Sequence, residues 1–90
     1  MLIEFDPAKD KLNRVLHGLP LAFARKLVWE EALVWVDARF GYDETRMIGL
    51  VPQGDVLYYA AFVDRGDTRR LISLRHATRK EVKHYVENYP

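Results

Sequence analysis

The chain is predicted to be a small α+β domain: an antiparallel sheet with two N-terminal helices and one C-terminal helix. Three observations carry this. Helical periodicity marks "DPAKDKLNRVLHG", "LPLAFARKLVWEEA" and "TRKEVKHYVENY". Apolar runs of strand length mark most of what lies between. Short polar turns separate the last three of these runs and a short polar connection precedes them, which gives an antiparallel meander. Ninety residues then make one domain, 1–90, whose helices cover one face of a four- or five-stranded sheet.

The elements follow in the order β-α-α-β-β-β-β-α. "LIEF" is a short strand. Asp6 and Pro7 are an N-cap and first-residue signature, and Gly18 suits a left-handed C-cap. Between them Ala8, Leu12, Val15 and Leu16 are expected to face inward. In the second helix Leu21, Ala24, Leu27 and Val28 take that role, and Pro20 helps fix its start. "ALVWVD" is β-branched and aromatic, hence a strand. "DARFGYDETR" is a polar connection, "TRMIGLV" a strand and "PQGD" a turn. "VLYYAAFV" is almost wholly apolar, so Val56–Val63 is expected to be the central and most buried strand. After the "DRGD" turn, "TRRLISLRHA" is expected to set Arg69, Leu71, Ser73 and Arg75 on one face and Arg70, Ile72 and Leu74 on the other. Thr78 and Glu81 form a capping box. Val82, Tyr85, Val86 and Tyr89 then share one helical face, and Leu74, Val82 and Val86 are expected to hold the strand–helix corner.

The composition is globular, with 49% hydrophobic and 30% charged residues. The absence of cysteine excludes a disulfide scaffold, a thiolate zinc site and a cysteine nucleophile, and it suits a reducing cytoplasm. No apolar run approaches the roughly 20 residues that span a bilayer. The opening "MLIEFDPAKDK" is too short in apolar length and too acidic for a signal peptide. A cytoplasmic protein without a membrane partner is expected.

Net charge is +1, yet the charge is uneven. Residues 1–63 hold 7 Lys/Arg against 9 Asp/Glu, and residues 64–90 hold 7 against 4, so the balances are −2 and +3. A cationic C-terminal third points to an anionic partner. It is concentrated in "LISLRHATRKEVKHY", where a strand turns into a helix. Arg75 ends the strand and Arg79 opens the helix, so the corner could bring the two guanidiniums together. Guanidinium forks suit phosphate oxygens, and a helix start adds N–H groups. Arg79 and Lys83 are four apart and share a helix face. The alternative is a solvated surface with Arg75 or Arg79 paired to Glu81 or Glu87.

His17 ends the first helix. Protonated, it would complement the helix dipole; neutral, it could act as a general base. Lys9, Asn13 and His17 form a polar row that is either the solvent face or one wall of a phosphate groove. Tyr85 shares an apolar face but carries a hydroxyl near the basic corner. His76 and His84 have no metal-ligand spacing, so no metal site is expected. No GxSxG, P-loop, GxGxxG or HExxH motif is present, and no cofactor is expected.

Three stretches, "FDPAKDKLNRVLHGL", "ETRMIGL" and "DRGDTRRLISLRHATRKEVKHY", resemble the BrnT family of type II toxin–antitoxin toxins. The opening pattern is met by Phe5-Asp6, Lys9, Asn13 and His17-Gly18. The middle pattern is met by Arg46, Ile48 and Gly49. The closing pattern is met by Arg65-Gly66-Asp67, Arg70, Ile72-Ser73, Arg75, Ala77-Thr78, Glu81 and Tyr85. Phe5 stands where the family often has Trp, and Leu16 where a basic residue commonly precedes His-Gly. The resemblance implies a RelE-like fold and a metal-independent ribonuclease that inhibits translation. It also implies a BrnA-type antitoxin, whose complex with the toxin would bind operator DNA through the antitoxin.

On that reading Arg75 and Arg79 bind the scissile phosphate, and Arg70, Lys9 and Lys83 hold RNA phosphates. His17 transfers a proton, with Tyr85 or Lys9 as the second group. The rival readings are a non-catalytic nucleic-acid- or protein-binding module and a purely structural partner protein.

Overall fold

The computed structural model describes residues 1–39, 41 and 43–89. Phe40 and Tyr42, in the expected polar connection, lie outside the described residues. The elements are β1 (Leu2–Phe5), α1 (Pro7–His17), two 3-10 helices (Leu21–Lys26 and Trp29–Glu31), β2 (Leu33–Val36), β3 (Met47–Gln53), β4 (Val56–Arg65), β5 (Thr68–His76) and α2 (Arg79–Asn88). The five strands form one sheet in the order β1-β5-β4-β3-β2. The meander β2 to β5 is antiparallel, as its short turns require. β1 is the exception and runs parallel to β5 at the sheet edge.

β4 lies mid-sheet, and every residue from Tyr58 to Val63 except Tyr59 is buried. One face packs Val51, Tyr58, Ala60, Phe62, Leu71 and Leu74 against Leu21, Ala24 and Leu27 of the first 3-10 helix and its flank. The expected second α-helix is these short 3-10 pieces. The Val28 N–H donates to the Pro52 carbonyl of β3 (2.9 Å), and Leu27 is extended at φ −74°, ψ 147°. Tethering to the sheet at that point interrupts a helix that periodicity alone would continue.

Helix α1 is turned over relative to expectation. Asp6 caps it through the Ala8 N–H, and Gly18 closes it in the left-handed region at φ 71°. Leu12, Val15 and Leu16, however, are 54%, 75% and 64% exposed, while Asn13 is 4% exposed. The reason is local. β1 pairs only with Thr68–Leu71, which leaves the outer edge of β5 open further along. The Asn13 side chain fills that place. It accepts from the Leu74 N–H (2.9 Å) and donates to the Leu74 and Leu19 carbonyls (both 2.8 Å). Satisfying buried backbone groups outweighs burying the apolar stripe. α1 therefore lies along the sheet edge.

Helix α2 also departs from its periodicity. The capping box of Thr78 and Glu81 forms as expected, but no residue of the helix is fully buried. Tyr85 and Tyr89 stack on each other at 5.0 Å and 13°, whereas Val82 and Val86 are 41% and 71% exposed. The corner is thus not held by Val82 and Val86.

Candidate nucleic-acid interface

The face of the sheet opposite the 3-10 helices carries the cationic groups, and a β-bulge arranges them. In the β4–β5 register Ala61 opposes Ser73 but Phe62 opposes Leu71, so Ile72 is the extra residue. A bulge resets alternation. Arg70, opposite Val63, and Arg75, opposite Tyr59, thereby point to one face. Arg69 goes to the other, its guanidinium 4.2 Å from the Phe62 ring centre and paired with Asp64 at 2.7 Å. Regular alternation had put Arg70 and Arg75 on opposite faces.

Among the described residues, Arg70 and Arg75 each line a groove on this face. The first, about 420 Å³, is lined by Lys9 of α1, Arg46, Arg65 and Arg70, together with Val63, Ile72, Asp43 and Glu44. Arg70 reaches Glu4 at 3.2 Å. Arg65 grips Glu44 through Nε (2.7 Å) and Nη2. That grip, acting against a small desolvation, holds the Glu44 carboxyl below its ordinary range. Periodicity and spacing assign no role to Arg46 or Arg65, although both match the family patterns. Alternation along β4 from Val63 was the available signal for Arg65.

The second groove, about 450 Å³, is lined by Trp35, Asp37, Arg39, Tyr59, Arg75 and Glu81, among others. Arg75 lies with its guanidinium 3.9 Å over the Tyr59 ring. It donates to Glu81 twice, at 2.8 and 3.0 Å, and to the His76 carbonyl at 3.1 Å. Glu81 also accepts from the Thr78 N–H at 2.9 Å. Burial raises the Glu81 carboxyl, but these donors outweigh it and the net shift is downward. Arg75 is pushed up, chiefly by its bonds to Glu81 and against the effect of burial.

The other expected site residues are placed as follows. Arg75 is engaged by Glu81 in the second groove. The cation felt at Arg75 is Arg39, and Arg79 is exposed on α2 outside both grooves, as is Lys83. The corner is closed by the Arg75–Glu81 pair. His17 is exposed at the end of α1, on the same stripe as Lys9 and Asn13. Tyr85 lies outside both grooves. Its hydroxyl donates to the Glu31 carbonyl at 2.6 Å, and burial, followed by the negative charge of its neighbours, raises its pKa. The three histidines are dispersed: His76 packs on Tyr58 and His84 on Trp35. Among the described residues no group of three His, Cys, Asp or Glu could hold a metal ion, and no helix is long and apolar enough to cross a membrane.

The chain is thus a small α+β protein with arginines gathered on one face of its sheet. The comparisons narrow that class. Residues 5–81 match the family described as "Ribonuclease toxin, BrnT, of type II toxin-antitoxin system". The crystal structure of the Brucella abortus ribonuclease toxin BrnT superposes with a TM-score of 0.66 at 25% identity, covering 88% of this chain and 99% of that one. No protein of curated function matches. The chain belongs to the BrnT family of ribonuclease toxins of type II toxin–antitoxin systems.

Proposed function

We propose that this chain is a metal-independent endoribonuclease that inhibits translation, working as one RelE-like domain in the cytoplasm. The observation that supports it best is the bulge at Ile72, which aligns Arg70 and Arg75 on one sheet face beside Lys9 of α1. Single-stranded RNA lies along that face with its backbone in the first groove. Lys9, Arg46, Arg65 and Arg70 meet its phosphates, and Arg75 adds positive charge further along.

Cleavage is an in-line attack of the ribose 2′-oxygen on the adjacent phosphorus. The 2′-hydroxyl proton goes to a base, the bond to the 5′-oxygen breaks, and that oxygen takes up a proton. The products are a 2′,3′-cyclic phosphate and a 5′-hydroxyl. His17 is the proton-transfer group and Lys9, which walls the groove, its partner; both stand on the polar row of α1. The cations stabilise charge gathering on the phosphoryl oxygens, commonly the largest catalytic contribution. Arg79 and Lys83 on α2 attract RNA at longer range. The partner is a BrnA-type antitoxin, and the complex represses its own operon through the antitoxin's contact with DNA.

The test is purified protein with RNA in EDTA. Fragments ending in 2′,3′-cyclic phosphate support the reading. RNA binding without cleavage overturns it in favour of a binding module.

A further inference from the structure

The apolar stripe of α1 is a surface feature that the RNA reading does not use. Leu12, Val15 and Leu16 are all more than half exposed, and with Ala8 they span about 100° of the helix at 100° per residue. A soluble chain rarely turns such a stripe outward unless something covers it. The helix could have buried it by rotating, but the three hydrogen bonds of Asn13 hold it in this orientation.

Charge on either side of the stripe tells what covers it. Lys11 borders it on one side and Lys9 on the other, about 40° before Asn13, and Lys9 also walls the first groove. A nucleic acid would find cations here but no use for three aliphatic side chains. A second copy of the chain would set Lys9 and Lys11 against their own counterparts. The matching occupant carries apolar residues flanked by carboxylates. We propose that this stripe is the docking site of an acidic amphipathic segment of the cognate antitoxin. The assignment rests on the toxin–antitoxin reading above. Once seated, that segment's carboxylates reach Lys9, so one contact both anchors the antitoxin and removes a cation from the RNA groove.

The experiment uses the full chain with Leu12→Gln and Leu16→Gln together, both exposed and outside the groove. The probe is the product of the reading frame adjoining the toxin gene. Melting temperature and RNA cleavage in the absence of partner are expected to stay at wild-type levels. Affinity for the partner, by calorimetry, is expected to weaken at least tenfold, and growth arrest to persist when both are co-expressed. Wild-type affinity should itself weaken with added salt. Undiminished affinity of the variant, or loss of affinity in Val86→Gln on α2 instead, overturns the proposal while leaving the partner reading intact. A wild-type toxin that does not bind the partner at all overturns both. A concentration-dependent dimer of the toxin alone, abolished by the double substitution, gives the stripe to a second copy and also overturns it.

Discussion

Asn13 and Leu74 pair as two strand residues would, the side-chain amide of one with the backbone N–H and C=O of the other, at 2.9 and 2.8 Å. The pairing joins α1 to β5 across 61 positions of sequence and fixes the height at which Lys9 meets the groove.

Asn13→Ala is therefore expected to cost roughly 2–4 kcal/mol, because the buried Leu74 N–H and C=O are left unpaired. In a domain of this size that is a fall of at least about 8 °C in melting temperature. Asn13→Asp should be nearly as damaging, since it keeps the acceptor and loses the donor. A thermal melt of either variant that overlays the wild type would show that the pairing contributes little.

The Arg75–Glu81 pair makes a second expectation, about pH. Glu81 has a folded-state pKa below its ordinary 4.5, so its contribution is complete above that value and is lost as pH falls through the folded one. Wild type should exceed Glu81→Gln in stability by about 1–2 kcal/mol at neutral pH. The gap should close between about pH 4.5 and lower values. A gap that is unchanged at pH 3 removes the ion pair from the account.

Much of this fold is legible in the sequence. Turns containing Gly54 and Gly66 mark the meander, the apolar run at Val56–Val63 marks the central strand, and Thr78 with Glu81 marks the helix start. The bulge is not legible. Ile72 is an ordinary strand residue, and one extra residue in β5 exchanges the faces of Arg69 and Arg70 without any change in composition. The orientation of α1 is hidden for a related reason. Periodicity measures how apolar residues cluster on a helix, but the side facing the protein was decided by one asparagine and an unpaired strand edge. Arg46 and Arg65 were visible as cations and invisible as groove walls, because their convergence depends on the pairing of β3 with β4.

Tyr85 offers a clean separation of anchoring from chemistry. Its hydroxyl donates to Glu31 at 2.6 Å, tying α2 to the second 3-10 helix. Tyr85→Phe should lower stability by about 1 kcal/mol and leave the cleavage rate of the folded protein unchanged. A rate loss of a hundredfold at full folding would make Tyr85 a proton-transfer group after all.

The last expectation separates the two arginines that the bulge aligns. Arg70 and Lys9 face the first groove, and Arg70 makes a partly exposed 3.2 Å contact with Glu4. Arg70→Ala and Lys9→Ala should therefore change stability by about 0.5 kcal/mol or less. If each meets a phosphate whose charge grows in the transition state, cleavage should fall roughly 100- to 1,000-fold. Arg70→Lys should recover only part of this, since the two-pronged guanidinium contact is gone. Arg75 is different, because it already spends its donors on Glu81 and the His76 carbonyl. Arg75→Ala should lower both stability and rate, and part of its rate loss should return under stabilising conditions such as added osmolyte. Melting temperature beside cleavage rate for the four variants decides the matter. Should Arg70→Ala and Lys9→Ala cleave RNA at the wild-type rate, the first groove is not where the backbone lies. The second groove, with Arg75, Tyr59 and Trp35, then becomes the site to test.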